Sequence, residues 1–138
     1  MIRPIMTRRF FLRQPSEQAG PDDLAIAQDL VDTLEANRER CIGLAANMIG
    51  QLKRIIAVRD EHGGVLVMLN PVVTKAHEPY EAVEGCLSLK GLRSTTTRYR
   101  RITVAYDDLS MQPHEESFSD RVAQIIQHEV DHCNGVVV

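Results

Sequence analysis

The chain has 138 residues, 43% of them apolar and 25% charged, with a net charge of −3. That length suits one domain, residues 1–138, around one sizeable core. Acids and bases are mixed, so no polyanion-binding surface and no direct nucleic-acid partner is expected, and no apolar run is long enough to span a bilayer.

Near the N-terminus, TRRFFLR (Thr7 to Arg13) has the twin-arginine look of an export signal. Such a signal needs an apolar stretch next, and Gln14-Pro15-Ser16-Glu17-Gln18 is not one, so the segment reads as an amphipathic arm. Three cysteines, Cys41, Cys86 and Cys133, form no disulfide framework and suit a reducing compartment, here expected to be the cytoplasm. Pro21-Asp22-Asp23 opens a helix predicted to run to about Arg40, with Leu24, Ala27, Val31 and Leu34 at helical spacing. CIGLAANMIG (41–50) breaks that pattern. Its small residues predict a tight loop or short strand that another backbone or a ligand can approach closely.

RIIAVRD and VLVMLNP then read as two strands joined around His62-Gly63-Gly64, and a further extended stretch passes Tyr80 and Val83 into EGCLS. STTTRYRRITVAYD is rich in β-formers, and EESFS pairs with it after the turn near Met111-Gln112-Pro113. The last element is a helix from about Asp120 to Asn134, with Ser119 as N-cap, Gly135 as C-cap, and an apolar face of Val122, Ile125, Ile126 and Val130. The order of helix, strands and helix predicts an α+β domain.

The final helix carries QHEVDH (127–132). At 3.6 residues per turn, His128 and His132 are offset by only about 40°, so both imidazoles reach one ion. Glu129 follows the first of them, placed to act on the attacking water instead of the metal. A third ligand is then needed. The extended protease pattern HExxHxxGxxH has Gly135 in place but Val138 where its last histidine belongs, so the ligand comes from upstream. Candidates are Cys41, Cys86, His62, His77, His114 and several carboxylates. Cys133 lies roughly 100° around the helix from His132 and cannot easily share the ion. Cys86 ends a strand-like segment after a glycine, a context that lets its thiolate point into a cavity, whereas Cys41 has the look of ordinary buried packing.

EGCLS (84–88), QHEVDH (127–132) and GLAANMIG (43–50) together resemble the three motifs of peptide deformylases, in the family's order and with comparable spacing. The resemblance implies a deformylase-like fold, with antiparallel or mixed β-sheets around a central C-terminal HExxH helix and a helix near the N-terminus. It implies ligands Cys86, His128 and His132, with Glu129 catalytic and the backbone N–H of Leu87 meeting the oxyanion. It implies that Ile42, Gly43, Met48, Arg93 and Ile125 contact the peptide and that Arg98 pairs with Asp131 behind the ligands. For both Arg93 and Arg98, an ordinary surface role weighs about equally. One divalent ion is expected, Fe(II) by the resemblance, although Zn(II) and Ni(II) suit the same donors. The implied reaction is hydrolysis of the N-formyl amide of formylmethionyl peptides, with release of formate.

Two departures stand out. Cys41 and Met48 replace the first glycine and the glutamine of the family's first motif, and methionine cannot donate the hydrogen bond that the glutamine amide gives the oxyanion. The sequence also stops at Val138, before the C-terminal segment that some members dock on the ribosome, so any ribosome association is expected to be transient and without that helix. The alternatives are a related metalloamidase with another acyl or peptide preference, motivated by Met48, and a non-catalytic metal-binding relative, against which Glu129 counts.

Overall fold

A computed structural model describes residues 1–86 and 89–138, with residues 89–92 described through their backbone only. A short helix α1 (Arg9–Leu12) and a 3-10 turn (Pro21–Asp23) lead into α2 (Leu24–Ala36). Strands β1 (Gly43–Ala45), β2 (Ile55–Arg59), β3 (Val65–Cys86), β4 (Leu89–Asp107) and β5 (Pro113–Ser119) follow, and α3 (Asp120–Cys133) comes last. The strands form one sheet in the order β1-β2-β3-β4-β5, and every neighbouring pair is antiparallel. The arrangement is α+β, and among the described residues no helix is long and apolar enough to cross a membrane.

β2 shows why the sheet lies between two helices. Its run is buried on both faces, as an unbroken apolar stretch requires. Ile56 and Val58 pack with Val122, Ile126 and Val130 of α3, while Ile55 and Ala57 pack with Ala27, Leu30 and Leu34 of α2. Each fully buried aliphatic side chain contributes roughly 1.5–3 kcal/mol.

Three boundaries differ from the sequence reading. α2 ends at Ala36, where the backbone tightens to i→i−3 bonds, Asn37 N–H to Leu34 O and Arg38 N–H to Glu35 O, and the Asn37 side chain donates to Thr33 O. The stretches expected as separate strands over 65–71 and around Tyr80 are one strand, β3. Its register shifts between Leu69 and Val72, where Asn70 takes a left-handed φ of 55° and its side chain bonds both backbone groups of Ala19. Asn70-Pro71 is thus a bulge inside a continuous strand. Ser119 precedes α3 in an extended conformation, but its side chain makes no capping bond.

At the other end of α3, Gly135 has φ 77°, and a Cβ added there would lie 2.4 Å from Arg13 O. Only glycine fits both the left-handed turn and that close approach.

Candidate metal centre

On β3, Tyr80, Ala82, Glu84 and Cys86 alternate with the exposed Glu81, Val83 and Gly85. The two-residue period puts the first set on one face, toward α3. On α3, Gln124, His128 and His132 recur every four residues and form one stripe. The two faces meet. Cys86 Sγ lies 3.7 Å from His132 Nε2, which lies 3.1 Å from His128 Nε2. The three donor atoms all fall within 4.8 Å of one another. Bonds of about 2.0–2.1 Å to nitrogen and 2.3 Å to sulfur at tetrahedral angles require donors roughly 3.3–3.6 Å apart. The spacing therefore fits one ion, and one thiolate with two imidazoles is a donor set for a divalent transition metal.

The imidazoles are held from behind. Glu84 Oε1 lies 2.8 Å from His128 Nδ1. Arg98, 4% exposed, donates Nε to both Glu84 oxygens at 3.1 Å and Nη2 to Oε1 at 2.7 Å. Its Nη1 donates to Asp131 Oδ2 at 2.6 Å. Arg98 and Asp131 thus do meet, but the guanidinium's main partner is Glu84, which the sequence reading overlooked. The signal was available, because a residue two before Cys86 on a strand shares its face. A second overlooked residue is Asn47, whose Nδ2 donates to His132 O at 3.0 Å and so satisfies a carbonyl at the end of the ligand-bearing helix.

These contacts separate the ionisation of neighbouring groups. Burial disfavours a charged Glu84, but hydrogen bonds from His128 and Arg98 outweigh it and bring the carboxyl down to about 2. Burial likewise disfavours charge on His128, but hydrogen bonds with Cys86 and Glu84 prevail and push it up to about 10. His132 is driven down to about 3 by burial and by the positive charges of His128 and Arg98.

Glu129 is 4% exposed, and its Oε1 has no hydrogen-bond partner among the described residues. Desolvation pushes its carboxyl up to about 7. β1 passes close by. A Cβ on Gly43 would come 2.6 Å from Ile125 Cγ2 and 3.0 Å from Glu129 Oε2. The small residue predicted to admit a close neighbour admits the glutamate helix.

A cleft of about 340 Å³ opens beside the cluster and reaches two of its three residues, Cys86 and His128, while His132 is fully buried behind them. Ile42, Gly43, Met48 and Ile125 line it, as do Cys86, His128 and Glu129. Arg93 does not line it; it is exposed on β4, opposite Gly85. Leu87, expected as the oxyanion donor, lies outside the described residues. Cys41 also borders the cleft, where its thiol donates to Gly43 O at 2.9 Å; burial and the charge of Glu129 push it up to about 12. Cys133 is buried in the core beneath α3 and is likewise raised to about 12 by burial. Neither joins the donor cluster.

The family model for polypeptide deformylases matches residues 5–138. A peptide deformylase of Clostridium beijerinckii is 48% identical over 139 residues, covering 100% of this chain and 100% of its own. The Met-Ala-Ser-bound class I type b peptide deformylase of Acinetobacter baumannii superposes with a TM-score of 0.86 at 25% identity, over 99% of this chain and 96% of that one. The peptide deformylase of Thermotoga maritima does so with a TM-score of 0.88 at 26% identity, over 99% and 95%. A match that runs through the three helices, the sheet and the cysteine–histidine cluster leaves one conclusion: the chain belongs to the polypeptide deformylase family of metal-dependent hydrolases.

Proposed function

We propose that Cys86, His128 and His132 hold one divalent ion, Fe(II) in the cell, and that Glu129 carries the proton in hydrolysis of the N-formyl amide of formylmethionyl peptides. The observation that supports this reading is the convergence of the three donor atoms within 4.8 Å, beside a cleft lined by Cys86, His128 and Glu129. When bound, a divalent ion polarises the formyl oxygen and acidifies water.

The chain's residues do the rest. Glu129, raised to about 7, is suited to take a proton from the attacking water and pass it to the departing amine near neutral pH. Glu84, fixed by Arg98, holds Nδ1 of His128 so that Nε2 faces the other donors. β1 is an edge strand, and Ile42 and Gly43 line the cleft, so an extended peptide lies along its outer side. Met48 and Ile125 offer the apolar surface that a methionine side chain needs. The Met-Ala-Ser bound by the Acinetobacter relative is the peptide such a cleft would release from formyl-Met-Ala-Ser. A reducing, cytoplasmic setting suits the three free thiols.

The test is formate release from formyl-Met-Ala-Ser by protein purified anaerobically with Fe(II). Turnover that tracks metal content supports the reading. Metal-loaded protein that releases no formate from any formyl peptide would overturn it.

A further inference from the structure

Behind the ligand cluster, a hydrogen-bond chain leads away from His128 to a residue on the far side of Glu84. Glu84 Oε1 is held by His128 Nδ1 and Arg98 Nη2, at 2.8 and 2.7 Å. Among the described residues, Glu84 Oε2 accepts a 2.9 Å bond from Gln124 Nε2 and the 3.1 Å leg of the Arg98 Nε bond shared with Oε1. Gln124 is in turn oriented from the sheet, where Tyr80 Oη donates to its Oε1 at 2.9 Å. The arrangement is self-consistent. An ionised carboxylate only accepts, so Gln124 presents its NH₂ to Glu84 and its oxygen to the phenol.

We propose that Gln124, set by Tyr80, is a positioning residue for the metal ligand His128. The proposal rests on the ligand assignment made above. The terminal torsion of a glutamate is soft. Arg98 alone anchors the carboxylate mainly through Oε1, the oxygen that also serves His128. The Gln124 bond adds a shorter hold on Oε2 to the 3.1 Å leg from Arg98, so it resists rotation of the carboxylate plane and keeps Oε1 in line with Nδ1. The backbone supplies the placement. Tyr80 and Glu84 are four apart on the inward face of β3 with the small Ala82 between them, and Gln124 stands one turn before His128 on α3. Arg100 stacks over the Tyr80 ring, its guanidinium carbon 4.8 Å from the centroid, which steadies the phenol.

Loss of a partner behind a metal ligand costs about 10–100-fold in metal affinity. Gln124→Leu is expected to weaken Co(II) binding by about tenfold and to alter the visible Co(II) absorption bands. Tyr80→Phe, which keeps the ring and removes one hydroxyl, is expected to do the same to a smaller degree. It also serves as the readout should Gln124→Leu not fold. Because Tyr80 acts through Gln124, adding Tyr80→Phe to Gln124→Leu should cost nothing more, whereas independent structural effects would add.

The measurement is competition of the full chain with a chromophoric chelator for Co(II), with spectra recorded on the loaded proteins. His128→Ala serves as the reference. If that variant still holds one equivalent of Co(II), the ligand assignment fails and this inference fails with it. If His128→Ala loses the metal while Gln124→Leu or Tyr80→Phe binds Co(II) with wild-type affinity and spectrum, this inference alone is overturned. Additive losses in the double variant overturn the relay through Gln124.

Discussion

His128 and His132 face one another with their Nε2 atoms 3.1 Å apart. Two imidazolium rings cannot share that space, and the pair resolves the conflict unequally. His128 is pushed up to about 10, because its bonds to Cys86 and Glu84 outweigh burial, and His132 is driven down to about 3, first by burial. These opposite shifts favour one positive charge on the pair at neutral pH, an extra proton on His128.

That proton sets the pH dependence of metal uptake. A ligating imidazole has lost it, so the metal-free state binds at least one more proton than the loaded state at any pH below about 10. Affinity must then rise with pH, by ~10-fold per unit for one displaced proton, and level off as pH passes the His128 value. Zn(II) competition titrations across the neutral range would show the slope. A dissociation constant independent of pH would mean that His128 is already neutral without metal.

The ligand set predicts a sharp division among the cysteines. Cys86→Ala, His128→Ala and His132→Ala should each lose the bound ion, while Cys41→Ala and Cys133→Ala should keep it, because only Cys86 shares the donor cluster. Metal analysis of the purified variants decides the point, and stoichiometric metal in Cys86→Ala would refute the assignment.

Glu129→Gln keeps the side-chain shape and removes the base. Metal content should stay at one equivalent while formate release falls by ~10²–10⁴, the range for acid–base catalysis. Turnover close to wild type in that variant would exclude Glu129 as the proton carrier.

Gly43→Ala should damage the site through packing. The added methyl meets Ile125 Cγ2 at 2.6 Å and Glu129 Oε2 at 3.0 Å, so β1 must retreat or the glutamate must shift. A stability loss of about 1–3 kcal/mol is expected, with a larger drop in kcat than in metal content. Thermal unfolding and kinetics with matched metal test both parts. Unchanged stability and activity would show that the β1–α3 contact is looser than these distances.

Met48 lines the cleft with a side chain that is 2% exposed and has no N–H to offer an oxyanion. Met48→Gln should raise kcat more than it lowers KM, since such a donor acts on the transition state. The gain should fall short of the full ~10²–10³, because the pocket is packed around a thioether. Burying the new amide without a partner would cost about 1–3 kcal/mol. Steady-state kinetics on formyl-Met-Ala-Ser, with metal matched, is the measurement. An efficient wild type that Met48→Gln slows would show that another group supplies the donor.

What the sequence determined by itself was whatever depends on local periodicity. The two histidines of α3 share a face because a helix repeats every 3.6 residues, and that holds wherever the helix lies. The strands of β2 and β4 and the glycine at 135 followed from equally local rules. The end of α2 did not, because the polar run from Asn37 to Arg40 carries no apolar signal, and the Asn37 cap stops the helix early. β3 read as two strands because its apolar pattern lapses over the largely polar residues from Thr74 to Pro79. Pairing with β4 carries the strand through that stretch.

The site divides in the same way. Residue types alone left the third ligand open among several groups; the motif resemblance pointed to Cys86, and the tertiary structure brings its sulfur within 3.7 Å of a histidine 46 residues away. Which groups stand behind the ligands was decided only in three dimensions. Glu84, Arg98 and Gln124 come from β3, β4 and α3, and each is fixed by a bond to a partner distant in sequence. Hydrogen bonds reach about 3 Å and depend on angle, so they are properties of how the elements pack and not of the order of residues along any one of them.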